Sequence, residues 1–342
     1  MTQGAEPTIA VIVPNRNDAR YLPRCLRSVL EQNVGPDELI VVDDQSTDDS
    51  VAVIRSLIAN RPGAQLIENP VNLGTYGAVD AGIKRSSSEY LLCLSSNDFV
   101  LPGIFARAKS CLARFPGAGL WSAMGWLVDE LDRPIRRHQI PVIALEDAYF
   151  TPEQCLRLAW RYGNWFTGTT LTYRRHALDA AGGFDPAYKG LSDLLTALII
   201  ASREGAAYSP APLAVVRIHA RSSSSSTLEN AAGLETMLER LRERGPKLAP
   251  RLFTSAFLAR TALRFRYGAV RASHGANLPG IAERFTGWRG RALVAIDTIL
   301  PPGFRRTRFV LAFAILRPFD IVPALWGRLV GGIFFAARRP LV

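Results

Sequence analysis

The sequence holds little cysteine, and none of it is placed to make a cross-link or a metal site. Four cysteines in 342 residues, Cys25, Cys93, Cys111 and Cys155, form no CxxC pair and no cluster with histidine. Each lies in an apolar stretch, which points to buried reduced thiols and against a disulfide framework. Long apolar runs are also missing. Crossing a bilayer takes ~20 consecutive apolar residues, and the longest runs near the end, Phe309–Leu316 and Leu329–Ala337, span eight and nine residues and are flanked by arginine. Residues 1–7 are polar and show no signal-peptide pattern, so a cytoplasmic location is the expectation. No GxGxxG follows the first strand-like run, and no GxxxxGKS/T occurs anywhere. Any bound nucleotide would then need another counter-charge for its phosphates, such as a divalent cation held by carboxylates.

Acid is scarce at one end only. Residues 251–342 carry fifteen arginines, no lysine and three acids (Glu283, Asp297, Asp320), a net +12, whereas the first 250 residues hold 26 basic and 27 acidic groups and sum to −1. The formal charge of +11 therefore belongs to an arginine-rich tail. A basic excess suits a polyanionic partner, and only the tail presents one.

The first hundred residues alternate β-branched runs with amphipathic helical patterns. Strands are expected at Ile9–Val13, Leu39–Val42, Gln65–Glu68 and Tyr90–Leu94. Helices are expected over Leu22–Leu30, where Leu22, Cys25, Leu26, Val29 and Leu30 share a face, over Val51–Ala59 behind a cap at Asp48 or Asp49, and over Tyr76–Arg85. Such alternation implies parallel βαβ units with helices on both faces of a sheet. In an open α/β sheet, ligands bind beyond the carboxyl ends of the strands, near a switch in strand order. Three of these strands end in polar clusters: Pro14–Asp18, Asp43–Ser46 and Ser95–Asp98. Caps and Asx turns account for part of the first cluster, but not for Asp43-Asp44, which precede the next helix by several residues.

The segments VIVPNRND (11–18), VVDDQSTD (41–48), NLGTYGAVDAGI (72–83), LLCLSSNDFVLPG (91–103) and GGFDPAYKGLSD (182–193) together resemble family 2 glycosyltransferases, in that family's order and spacing, over about residues 8–220. The resemblance implies a GT-A fold: Rossmann-like α/β, a mostly parallel sheet with flanking helices, here with a C-terminal helical, arginine-rich extension. It divides the chain into a domain at 1–227 (donor half about 8–105, acceptor half about 106–220) and a basic helical region at 228–342. It implies inverting transfer of a sugar from a nucleotide donor, UDP-sugar foremost, to a glycan or lipid-linked acceptor, with Mg²⁺ or Mn²⁺. Pro14 and Arg16 match positions that frame the nucleobase, although Arg16 read alone is also a plain surface charge. Asp44 matches the acid that hydrogen-bonds the base, with Asp43 in support. Asn72 and Gly74 match an Asn-x-Gly near the donor, or simply a turn before a helix.

The largest departure from the family pattern is Ser95-Ser96-Asn97-Asp98, where Asp-x-Asp-Asp is usual. By the resemblance Asp98 is the metal ligand and Asn97 the ribose contact. His219 matches a further metal or diphosphate contact, or is a packed strand histidine, and Arg217 beside it can reach phosphates as a cation. Asp193 matches the catalytic base, with Ser192 in place of the usual Glu. From the residues alone, Asp193 equally caps the helix Leu194–Ala201. Trp160, Trp165, Phe166 and Thr167–Thr170 are acceptor-side candidates with core packing as the alternative.

Beyond Ser222–Ser226, a lid or a linker, Leu228–Arg244 reads as a helix stopped by Gly245-Pro246. Arginines then alternate with Phe, Trp and Leu, which suits the interface of an anionic membrane, or a helical cap whose arginines snorkel to water. Nucleic acid is not expected as a partner, because no stacked-aromatic RNA-reading pattern is present. Two other functions stay open: a non-catalytic nucleotide-binding or scaffolding subunit, favoured by Ser95, Asn97 and Ser192, and transfer to a polyprenyl phosphate, which needs no strong base.

Overall fold

The structure, a computed structural model, describes residues 6–138, 140–218, 231–272, 287–300 and 302–322. The apolar run at the start forms β1 (Ile9–Asn15), buried along nearly its whole length, and its neighbours are β2 (Glu38–Asp43), β3 (Ala64–Glu68) and β4 (Tyr90–Cys93). These four lie in the order β3-β2-β1-β4 and pair in parallel, with Ile12 opposite both Ile40 and Cys93. Helices α1 (Leu22–Leu30), α2 (Ser50–Ile58) and α3 (Gly74–Arg85) make the crossovers. Asp48 Oδ1, rather than Asp49, accepts from the Ser50 N–H at the start of α2 (3.0 Å).

The second half of the sheet turns on an antiparallel strand. After β5 (Phe99–Val100) and α4 (Ile104–Arg114) come β6 (Leu120–Val128), β7 (Pro134–Arg137), β8 (Ala148–Phe150), α5 (Pro152–Tyr162), β9 (Thr172–Arg174), α6 (Arg175–Ala180), α7 (Ser192–Glu204) and β10 (Ala206–Arg217). The order continues β4-β9-β6-β10-β5. β9 is antiparallel to both β4 and β6, and β10 is parallel to β6, so β1–β4, β6 and β10 all run in one direction. β6 is buried throughout, and Met124, Trp126 and Val128 near its end pack with Phe99, Ile140, Tyr208 and Val215. Thr151 and Gln154 close a capping box ahead of α5, satisfying two otherwise orphaned N–H groups.

Among the described residues four further helices follow: α8 (Ala231–Leu248), α9 (Ser255–Ala272), α10 (Trp288–Ile299) and α11 (Arg305–Leu316). Leu234, Met237, Leu238 and Leu241 of α8, Phe257 and Ala262 of α9, Leu293 of α10 and Leu316 of α11 join one buried apolar cluster with Ile12 of β1 and Leu195 of α7. The helical region thus shares a core with the sheet. α8 does not stop at Gly245-Pro246 as its sequence suggests. Pro246 costs one N–H···O bond near the C-terminal end of the helix, while Gly245 packs against the Phe253 ring and the Ala249 N–H bonds the Gly245 carbonyl (2.8 Å). Among the described residues no helix is long and apolar enough to cross a membrane.

Candidate active site

Beyond the carboxyl ends of β1, β2, β4 and β10 opens a cavity of about 570 Å³. It lies where strand order reverses between β1 and β4, the position expected for a ligand in such a sheet. Of the residues singled out from the sequence, Pro14, Arg16, Asp44, Asn72, Gly74, Asn97, Asp98, Asp193 and Arg217 all line it. Asp43 does not. Its buried carboxylate accepts from Asn15 Nδ2 (2.7 Å), from the Ser46 N–H (2.9 Å) and from Ser46 Oγ (2.6 Å), and so ties the ends of β1 and β2 together. His219 and Ser222–Ser226 lie outside the described residues.

The Asp44 carboxylate is already engaged by protein. Oδ1 accepts from Asn69 Nδ2 (2.9 Å) and the Leu73 N–H (2.9 Å), and Oδ2 accepts from the Gly74 N–H (2.8 Å). Gly74 adopts φ +74°, a left-handed conformation that glycine reaches without strain, and Asn72 Oδ1 accepts from the same N–H (3.0 Å). Asp44 therefore pins the loop carrying Asn72 and Gly74 against the cavity.

Asp98 is buried, 6% exposed. Its Oδ1 accepts from the Arg217 backbone N–H (2.8 Å) and its Oδ2 from Thr169 Oγ1 (2.8 Å). Burial pushes its carboxyl up to about 6, with the neighbouring charge of Asp18 acting in the same direction and the two hydrogen bonds opposing it. The Arg217 guanidinium is committed elsewhere. It pairs with Asp132, donates from Nε to the Asn97 carbonyl (2.8 Å) and lies over the Tyr21 ring at 4.6 Å. Its geometry braces Asn97 and Asp98 rather than presenting a cation to the cavity.

Asp193 sits in the first turn of α7, one residue inside it, so it is not the N-cap. Oδ1 accepts from the Leu194 N–H (2.7 Å), and Oδ2 lies against Gly168, where a Cβ would come within 2.9 Å of it. Burial raises the proton affinity of this carboxyl. Tyr173 donates from its hydroxyl to the Asp193 carbonyl (3.1 Å), and Tyr76 donates from its own to the Lys189 carbonyl (2.7 Å), holding the loop before α7.

Several lining residues were assigned no role from the sequence. Asp18 read there as part of a cap, yet it accepts from Ser96 Oγ (2.6 Å) at the cavity edge. Cys93 is not sealed in the core but half-buried in the cavity wall, its thiol pushed up to about 12 by burial. His138 lines the far side with its proton affinity depressed to about 4, by burial and then by Arg136 and Arg137. Of the acceptor-side candidates, Phe166, Gly168 and Thr169 reach the cavity; Trp165 is buried core, and Trp160 is 45% exposed beneath Arg260.

Whether these residues suit a divalent cation is a question of donors. Each Asp98 oxygen accepts one hydrogen bond and has a second lone pair. Among the described residues no group of three His, Cys, Asp or Glu is placed to hold a metal. The donor set fits a cation that draws most of its ligands from phosphate and water, as Mg²⁺ tolerates, and does not fit an all-protein cage.

Residues 10–108 match the family Glycosyl transferase family 2. An uncharacterized glycosyltransferase of Haemophilus influenzae is 34% identical over 94 residues, 28% of this chain and 38% of that protein. A PGL/p-HBAD biosynthesis glycosyltransferase of Mycobacterium tuberculosis is 32% identical over 94 residues, 28% of this chain and 37% of that protein. The chain thus matches less than two fifths of the length of these curated relatives. Among solved structures, a mannosyltransferase of Pyrobaculum calidifontis in complex with GDP-Man and Mn²⁺ is 21% identical at a TM-score of 0.56, covering 94% of this chain and 88% of that one. Residues 1–349 of TarS from S. aureus, in complex with UDP-GlcNAc, are 15% identical at 0.53, covering 90% and 91%. With the motifs at the strand ends and the sheet order both in place, residues 10–108 are similar to family 2 glycosyltransferases, and the described residues share the GT-A fold of these solved structures.

Proposed function

We propose that the protein is an inverting glycosyltransferase that moves a sugar from a nucleotide-diphosphate sugar to a hydroxyl of a glycan or lipid-linked acceptor, in cell-surface polysaccharide or glycolipid synthesis. The observation that carries this reading is the placement of Asp98 and Asp193 on one cavity at the carboxyl end of the sheet, touched by a single turn between them. Pro14, Arg16 and the loop that Asp44 pins form the nucleotide side of that cavity, with Asn97 toward the ribose. Asp98, with His219, would hold Mg²⁺ or Mn²⁺, which when bound neutralises charge growing on the leaving diphosphate.

Asp193 is the base. Inversion in one step requires a carboxylate within hydrogen-bond reach of the attacking hydroxyl. Oδ1 is fixed by the Leu194 N–H, which leaves Oδ2 as the atom to receive the acceptor's proton. As the new bond from acceptor oxygen to anomeric carbon forms, the bond to the diphosphate breaks and its electron pair departs with the nucleotide. Burial makes Asp193 a stronger base than a solvated carboxylate. The basic C-terminal helices would place this chemistry at the inner face of a membrane.

The test uses UDP-GlcNAc and GDP-mannose, each with Mn²⁺ or Mg²⁺, and measures thermal stabilisation and slow donor hydrolysis. A metal-dependent shift is expected in the wild type, lost in Asp98→Ala and kept in Asp193→Asn, which loses turnover. Stabilisation by donor with no turnover in the wild type would instead favour the non-catalytic subunit that Ser95, Asn97 and Ser192 suggest.

A further inference from the structure

The turn Gly168–Thr170, preceded by Thr167, joins two facts that neither acid reveals alone. Thr169 donates its hydroxyl to Asp98 Oδ2 at 2.8 Å, and it is itself only 6% exposed. One residue earlier, the Gly168 Cα faces Asp193 Oδ2, and a methyl group built there would stand 2.9 Å from that oxygen, with no other atom beyond its chain neighbours within 4 Å among the described residues. The turn is rigidly anchored. The Thr170 hydroxyl has the carbonyls of Thr167 (2.9 Å) and Ala123 (3.1 Å) within reach of its one proton and accepts from the Ala123 N–H (2.9 Å), which docks the turn on buried β6. Ser122 Oγ in turn accepts from the Thr167 N–H (3.3 Å).

We propose that this turn is a spacer that positions both acids at once: Thr169 orients Asp98, and the missing side chain at Gly168 reserves the place of the Asp193 carboxylate. The inference rests on the donor and base roles proposed above. It adds two positioning residues to them, Gly168 and Thr169, which act through the acids and not on the sugar. Gly168 lies outside the left-handed region, so alanine fits its backbone. Among the described residues, the atom in the way is the end of a flexible side chain, so the fold survives while the carboxylate swings aside. A displacement of about 1 Å at a reacting group is worth on the order of 10²-fold in rate.

The test compares wild type, Gly168→Ala, Thr169→Val and Thr169→Ser for the Kd of UDP or GDP with Mn²⁺ and for hydrolysis of UDP-GlcNAc or GDP-mannose. Gly168→Ala is expected to keep nucleotide–Mn²⁺ affinity within about twofold and to lose at least tenfold in kcat. Thr169→Val is expected to weaken nucleotide–Mn²⁺ binding severalfold, and Thr169→Ser to restore it. A crystal structure of Gly168→Ala should show the Asp193 carboxylate rotated away from its wild-type place. Unchanged kcat in Gly168→Ala, or an unmoved Asp193, overturns the spacer and leaves the enzyme reading intact. A wild type that neither binds nor hydrolyses any donor removes the enzyme reading and the spacer with it.

Discussion

At the scale of single residues, the paired acids ending β2 divide their labour in a way their adjacency hides. Asp43 closes β1 to β2, whereas Asp44 spends its lone pairs on N–H groups from 25 to 30 residues further along. Asp44→Asn therefore sets an NH₂ group against one of these donors and loses a charge-assisted hydrogen bond, leaving the Gly74 N–H to Asn72 Oδ1 alone, at a cost of about 1.5–3 kcal/mol. Urea unfolding should show that loss, and nucleotide affinity should fall with it because the Asn72–Gly74 loop is released; unchanged stability would show that the loop holds without Asp44. Asp193 gives a second prediction. Burial favours its neutral form, so it takes up a proton at a higher pH than an ordinary carboxyl. Since the base must be ionised, kcat for donor hydrolysis should rise with pH along an acid limb lying above the usual Asp value of about 3.9. A limb at or below that value argues against a buried base. The polar clusters at the strand ends drew attention to Asp44 and Asp98, and the family resemblance gave them and Asp193 their expected roles; from the residues alone Asp193 was equally a helix cap. The Thr169 and Gly168 contacts were not legible, because they join residues 71 and 25 positions apart in ways no local pattern records.

Between elements, the C-terminal helices are tied to the sheet domain by one guanidinium as well as by the shared apolar core. Arg264 on α9 donates to both oxygens of Asp320 (2.9 and 2.8 Å) and to the carbonyls of Ala159, Trp160 and Arg161 at the end of α5. Those carbonyls are the negative end of the helix dipole, where a cation is favoured. Arg260 and Arg317 complete the shell around Asp320, holding its carboxyl far below the usual range, although burial alone acts the other way. Removing one partner of such a buried group strands the other charges. Asp320→Ala should cost about 3–5 kcal/mol, whereas Arg251→Ala, whose pair with Glu153 is more than half exposed on both sides, should cost no more than about 1 kcal/mol. Urea denaturation of the two variants checks the contrast, and equal losses would contradict it. The helices and strands of the first hundred residues were readable from period and punctuation, as at Leu22–Leu30 and at Ile9–Val13, which the strand extends to Asn15. The run of α8 through Pro246 was not, since packing of Phe253 on Gly245 overrides the local stop signal.

For the whole molecule, the question is how much of the tail's +12 remains available to a partner. Arg251, Arg260, Arg264, Arg266, Arg308 and Arg317 are all engaged with acids, and two of those acids, Glu153 and Glu235, lie outside the tail. The charge counted from the sequence therefore overstates what a membrane would meet. What stays outward on α10 and α11 is narrower and more specific: Arg291 and Arg306 among Trp288, Val294, Ile299, Phe304 and Val310, all exposed. The one acid of these helices, Asp297, is paired with Arg308. An apolar surface with arginine and no exposed acid suits an anionic lipid interface. Two arginines at about 1 kcal/mol each amount to roughly thirtyfold in affinity. Flotation of the full chain with phosphatidylglycerol vesicles should therefore weaken by about that factor in Arg291→Ser/Arg306→Ser and in 0.5 M salt as compared with ~0.1 M, where the screening length falls from about 10 Å toward 3 Å. Trp288→Ser/Val310→Ser should weaken binding to the same vesicles without changing its salt dependence, because it removes apolar area and no charge. Equal binding to phosphatidylcholine, or no loss in the arginine variant, would leave these helices as a cap on the fold, with the remaining arginines merely reaching water.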